Sequence, residues 1–167
     1  MALTDFAPAH IRAIAPYQPG KPISELAREM GLDPAAIVKL ASNENPLGLS
    51  PRARAALAAG IDDLALYPDG NGFALKNAIA GKLGVGLDQI VLGNGSNDVL
   101  EMAARAFLAP GVSAVYAEHA FAVYPLAVLA AGATGLTAPA HDYGHDLDAL
   151  RATIRPDTRM VFIANPN

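Results

Sequence analysis

The stretch DQIVLGNGSNDVLEMAARAF, Asp88 to Phe107, runs an apolar segment, Ile90 to Leu92, straight into Gly-Asn-Gly-Ser-Asn-Asp and then into a helical pattern. A buried strand that yields to a glycine turn and a helix is how an α/β unit opens, and the turn's composition says what it can hold. Glycines let backbone N–H groups come close to a ligand. A helix starting at Ser96 or Asn97 presents unpaired donors, and its dipole favours an anion such as phosphate. The same residues also suit a plain cap, with Ser96, Asn97 or Asp98 accepting an amide while the glycines make a tight turn. The stretch is not a Walker loop, because no Lys-Ser/Thr pair follows. Nor is it the dinucleotide fingerprint, because Asp98 or Val99 stands where the third glycine belongs.

Downstream the pattern alternates. A strand over 113–118 is followed by a helix over 121–131, a short strand over 134–137, a helix over 146–154 and a strand over 158–164. Nearly all-apolar strands between helices predict an α/β fold with a mainly parallel sheet covered on both faces, a three-layer α/β/α arrangement. Upstream, prolines at 8, 16, 19 and 22 suit an extended N-terminal arm, and ISELAREM before Gly31 suits a short amphipathic helix. AIVKLASNENPLG (36–48) reads as a short strand running into a turn. Ser50 and Pro51 open a helix that Gly60 stops, and GFALKNAIAGKLG (72–84) is another helix. The expected organisation is an arm with its helix over 1–32, a connecting segment over 33–70, and the first part of a large domain over 71–167. The sequence stops at FIANPN, just past an apolar strand, where ligand sites of doubly wound sheets begin. It therefore reads as part of a longer chain.

Composition narrows the class. With 167 residues, 52% of them hydrophobic, and a formal charge of -4, the chain reads as one ordinary globular domain. The absence of cysteine excludes a disulfide framework and a thiolate metal site. MALTDFAPAH lacks the order of a signal peptide, so the cytoplasm is expected. AFAVYPLAVLAAGATGL (120–136) is broken by Pro125 and Gly132 and is short for a membrane span. The twelve Lys and Arg are scattered, so no nucleic-acid surface is expected.

Other candidates are weaker one by one. Phe121 follows a strand end and suits either stacking on a flat ligand or core packing. Asn43, Asn45 and Tyr67 lie in Gly/Pro-fixed loops, which usually means turn chemistry. HDYGHD (141–146) invites a metal reading, but Gly144 breaks the helix that would align His141 with His145. Asp146 suits the N-cap of the following helix, so no metal site is assigned.

Taken in order, YQPGK (17–21), LASNENPLG (40–48), YPDG (67–70), GNGSNDVLE (93–101), FAVY (121–124) and ANPN (164–167) resemble the fold type I aminotransferases that depend on pyridoxal phosphate. Within them the chain is most similar to the histidinol-phosphate aminotransferases, and the similarity runs the length of the sequence. The resemblance implies that Gly95, Ser96 and Asn97 hold the phosphate of pyridoxal 5'-phosphate and that Phe121 stacks on its ring where many relatives have tyrosine. It also implies that Tyr67 reaches the phosphate in the neighbouring subunit, that Tyr17, on an arm crossing to the partner, and Asn43 lie near substrate, and that the protein is a homodimer with shared sites. The implied reaction moves an amino group between histidinol phosphate and 2-oxoglutarate, giving imidazole acetol phosphate and glutamate, in histidine biosynthesis. An aromatic or broad-specificity aminotransferase shares the same motifs. The family's Asn-Pro-Thr-Gly asparagine, ring-nitrogen aspartate, cofactor-binding lysine and substrate arginines are expected beyond Asn167. Lys21, Lys39, Lys76 and Lys82 are assigned no such role, no catalytic residue is expected within these residues, and they are expected to be inactive by themselves. Two other readings stay open: a phosphate-binding or dimer-forming module without catalysis, and a small nucleotide-binding protein using the same glycine cup.

Overall fold

The computed structural model describes residues 3–40, 42 and 44–167. In chain order the helices are α1 (Ala9–Arg12), α2 (Ile23–Met30), α3 (Pro51–Ala59), α4 (Phe73–Leu83), α5 (Ser96–Phe107), α6 (Val123–Ala130) and α7 (Leu147–Thr153). The strands are β1 (Ser113–Ala117), β2 (Thr134–Ala138), β3 (Ala140–His141), β4 (Gly144–His145) and β5 (Thr158–Val161). The chain forms two compact units, one from Met1–Tyr17 with Asp88–Asn167 and one from Gln18–Leu87.

The first unit is built on a three-stranded parallel sheet in the order β2-β1-β5. Parallel neighbours cannot be joined by a tight hairpin, so each connection carries a helix back across the sheet. The alternation of β1 then divides the core. Ala114 faces a cluster with Ala104, Leu108, Tyr124, Ala127, Val128 and Phe162, drawn largely from α5 and α6. Val115 and Ala117 face the other way, with Ala138 and with Leu150 of α7. Helices therefore cover both faces, as the apolar strands predict. The pairing of β1 with β5 shifts between Ser113 and Ala114, and the Ser113 and Thr158 hydroxyls meet at 3.0 Å across that irregularity. At the start of α7 the Asp146 carboxylate accepts the Ala149 N–H at 2.9 Å, so the expected cap is present.

The second unit contains α2, α3, α4 and short 3-10 turns. Two expected strands do not form among the described residues. In the segment 36–40 the Asp33 side chain accepts the Ala35 N–H at 2.9 Å and Pro34 opens a 3-10 turn, Pro34–Ala36, after which the chain is irregular. Ile90–Leu92, in the first unit, follows a 3-10 turn, Leu87–Gln89, and is paired with no strand. Ile90 is buried and Val91 exposed, so the run keeps a strand's alternation of burial without its hydrogen-bond partner.

Gly135 of β2 lies beneath the Tyr116 ring. A Cβ at that position would overlap the tyrosine hydroxyl and stand 3.1 Å from its Cζ. Gly135→Ala is expected to cost about 1–3 kcal/mol, the usual range for overpacking. Tyr116→Ala should cancel most of that increment, a non-additivity readable in a double-mutant cycle of denaturant unfolding. Strict additivity would show that the ring is not what keeps this position small.

Candidate functional site

The glycine turn is held by three different constraints. At Gly93 the limit is space, since a Cβ would stand 2.9 Å from the Cβ of Asp98 and 3.0 Å from Cγ2 of Val99, both on α5. At Gly95 the limit is conformation, because φ 83° and ψ 177° belong to a region that is essentially confined to glycine. The third constraint is Asp98. Its carboxylate accepts from the Asn94 backbone N–H at 2.9 Å and from the Asn94 side-chain amide at 3.1 Å, which fastens the turn to the helix it precedes.

These constraints bear on the two readings of the turn. The N-cap of α5 is Gly95, which has no side chain, and among the described residues no side chain caps the helix. Asp98 reaches back past the cap to Asn94. Gly95, Ser96 and Asn97 are all exposed at the start of this twelve-residue helix. A phosphate fits such a cradle by its charge and by the N–H groups that a helix start offers.

The other predicted residues fall in several places. Tyr17 and Asn97 line one hollow of about 300 Å³, with Ile14, Glu101, Val123 and Leu126 among its walls. Phe121 stands just past the carboxyl end of β1 and makes an edge contact with Tyr124, with ring centroids 5.8 Å apart and planes at 87°. Tyr124 in turn stacks on Phe162 at 4.8 Å and 20°. Phe121 is 40% exposed, so the core fixes its ring without covering it. Tyr67 belongs to the second unit and its side chain is fully exposed. The turn that carries it is set by Asp69, which accepts from the backbone of Asn71 at 3.0 Å and of Phe73 at 2.8 Å. Hydrogen bonds to Phe73 and then to Asn71 lower the Asp69 pKa below its ordinary value. Asn43 lies outside the described residues.

HDYGHD folds as the β3–β4 hairpin, with Asp142 and Tyr143 both at positive φ in its turn. His141 points to solvent beside Asp142, 3.7 Å away. Among the described residues no group of three His, Cys, Asp or Glu is placed to hold a metal ion. Among the same residues no helix is long and apolar enough to cross a membrane. Asn94 is a further residue of the turn, signalled by the Asn-x-x-x-Asp spacing that lets an amide and a helix carboxylate meet.

Residues 35–167 match the family described as aminotransferase class I and II. Histidinol-phosphate aminotransferase 2 of Nitrosospira multiformis is 65% identical over 167 residues, covering 100% of this chain and 43% of that protein. Histidinol-phosphate aminotransferase 1 of Thiobacillus denitrificans is 68% identical over 161 residues, covering 96% of this chain and 42% of its own length. The chain thus spans less than half the length of the curated relatives it matches. The crystal structure of histidinol-phosphate aminotransferase from Sinorhizobium meliloti, in complex with pyridoxal-5'-phosphate, shares the fold. Its TM-score is 0.79, covering 97% of this chain and 42% of that one at 24% identity.

The two glycines of the turn fail in different ways when replaced. Gly93→Ala and Gly95→Ala should each cost about 1–3 kcal/mol, the first by overpacking against α5 and the second by backbone strain. Chemical denaturation of both variants checks this. Wild-type stability in Gly93→Ala would mean that the turn and helix are not in contact.

Proposed function

The chain belongs to the aminotransferase class I and II family, and from that premise we propose that its protein transfers an amino group between histidinol phosphate and 2-oxoglutarate with pyridoxal 5'-phosphate as cofactor. The observation that carries the substrate is the 65% identity, over the whole of this chain, to a relative named for that reaction. The site's geometry supports the cofactor. An exposed helix start behind a glycine N-cap suits its phosphate, and an aromatic ring held on edge by Tyr124 suits its flat heterocycle.

In this reading the backbone of Gly95 and Ser96 and the side chain of Asn97 hold the phosphate, and Phe121 orients the ring and keeps water from that face. When bound, the cofactor supplies the electron sink that makes amino-group transfer possible. Tyr17 stands on the wall of the hollow that includes Asn97 and contacts substrate, and the family resemblance gives Asn43 the same role. Tyr67 serves the phosphate of a neighbouring copy in a homodimer. Its complete exposure leaves the hydroxyl open to such a partner, and Leu64 and Leu66 beside it are exposed as well.

The test is amino transfer by the intact protein. Mixed with histidinol phosphate, 2-oxoglutarate and pyridoxal phosphate, it should form glutamate at a rate well above that with phenylalanine or tyrosine as donor. Preference for an aromatic amino acid would replace the substrate but keep the chemistry, whereas AMP binding without pyridoxal phosphate binding would remove both. Tyr67→Phe should weaken retention of the cofactor by roughly 10-fold or more, the scale of one hydrogen bond to a charged group. Equilibrium dialysis against pyridoxal phosphate measures it, and unchanged affinity would withdraw Tyr67 from the site.

A further inference from the structure

The β3–β4 hairpin absorbs a sequence motif that the proposed reaction does not use, and its contacts join two strand ends. On one side the Ala140 N–H donates to Oε2 of Glu118 at 3.3 Å, and the Tyr143 ring packs at 5.1 Å on His119, the residue two before Phe121. On the other side the hairpin meets the segment that leaves β5. The Asn167 side-chain amide donates to the Tyr143 carbonyl at 3.0 Å. His145 Nε2 lies 3.0 Å from the Ala164 backbone N and 2.8 Å from the Ala164 carbonyl oxygen.

One imidazole nitrogen serves one of these groups at a time. With its proton on Nδ1 the neutral ring accepts the Ala164 N–H, and with its proton on Nε2 it donates to the Ala164 carbonyl. The ring therefore meets the same residue in either tautomer. Among the described residues its buried Nδ1 has no hydrogen-bond partner, and the hydrogen bonding of the ring is directed at Ala164. Leaving a buried polar atom unpaired is unfavourable, and a side chain placed this way holds the backbone it faces.

We infer that His145 is a positioning residue, which fixes the backbone at Ala164 and so aims the segment Ala164–Asn167 at the carboxyl edge of the sheet. The inference rests on the aminotransferase reading only in so far as that edge is where the cofactor lies. The hairpin then acts as a brace. Through Glu118 and Tyr143 it holds the loop that carries Phe121, and through His145 and Tyr143 it holds the end of β5, so the two move as one piece.

Hydrogen–deuterium exchange on the intact protein without cofactor tests this directly. In His145→Ala the peptide that includes Ala164 should exchange about tenfold faster, the ratio expected for loss of one hydrogen bond, while peptides from β1 keep wild-type protection. His145→Gln, whose amide offers both an acceptor and a donor, should restore part of the protection. It also serves as the working variant if the alanine form does not fold. His141→Ala, on the exposed side of the hairpin, should change neither. Unchanged exchange at Ala164 would overturn the inference, and so would equal loosening of β1, because the histidine would then be a general packing residue. A parallel titration with pyridoxal phosphate should show weaker binding in His145→Ala and near-normal binding in His145→Gln. If the wild-type protein binds no pyridoxal phosphate, the functional reading falls while the exchange comparison still decides the role of His145.

Discussion

β1 carries a hydrogen-bonded parallel strand on each side, and the remainder of its unit is arranged by that fact. A strand paired on both edges and covered on both faces has no exposure to spend on polar side chains. Ala114, Val115 and Ala117 follow, with Ser113 admitted only because its hydroxyl meets Thr158. Parallel pairing also sends every strand's carboxyl end to the same edge. The loops after β1, β2 and β5 therefore gather there, and they contain Phe121, the β3–β4 hairpin and the Ala164–Asn167 segment. Small residues matter as much as apolar ones. Gly135 gives the Tyr116 ring its place, and Ala104, Ala114 and Ala127 let α5 and α6 approach the sheet closely.

The turn before α5 gives up a side-chain cap and is fastened in another way. Gly95 occupies a backbone region that costs any other residue about 1–3 kcal/mol, and it brings no side chain to satisfy the helix start. Serine or aspartate at the N-cap is the usual stabilising choice. The chain instead stabilises the turn from behind, through Asp98 on Asn94, and leaves the front of the helix to N–H groups.

The helices were legible because their stop and start signals are local. Asp146 caps α7 by its own carboxylate, Pro51 opens α3, and Gly31 follows α2. The sheet was legible from its apolar runs, and the glycine turn from its composition. What the sequence hid is non-local. Ile90–Leu92 has the composition of a strand, but a strand exists only with a partner. In 36–40 the reason is local instead, since Asp33 and Pro34 set a 3-10 turn that runs into the start of the segment. The hairpin was hidden for a related reason. Asp142 and Tyr143 both adopt positive φ without glycine, so the usual turn signature is missing. His145 looked like half of a metal pair, and only the tertiary contact with Ala164, nineteen residues on, shows its use.

The aromatic set at the sheet edge shows how an exposed ring can be set from the core behind it. Phe121 takes its orientation from Tyr124, which is itself locked by stacking on Phe162 beyond β5. The edge contact depends on the ring's quadrupole, which phenylalanine and tyrosine share, so the plane of residue 121 is set whether or not a hydroxyl is present. A hydroxyl would matter only if it made a hydrogen bond of its own. The ring that remains exposed past β1 is therefore suited to stacking, and its precision derives from two aromatic residues buried in the core behind it.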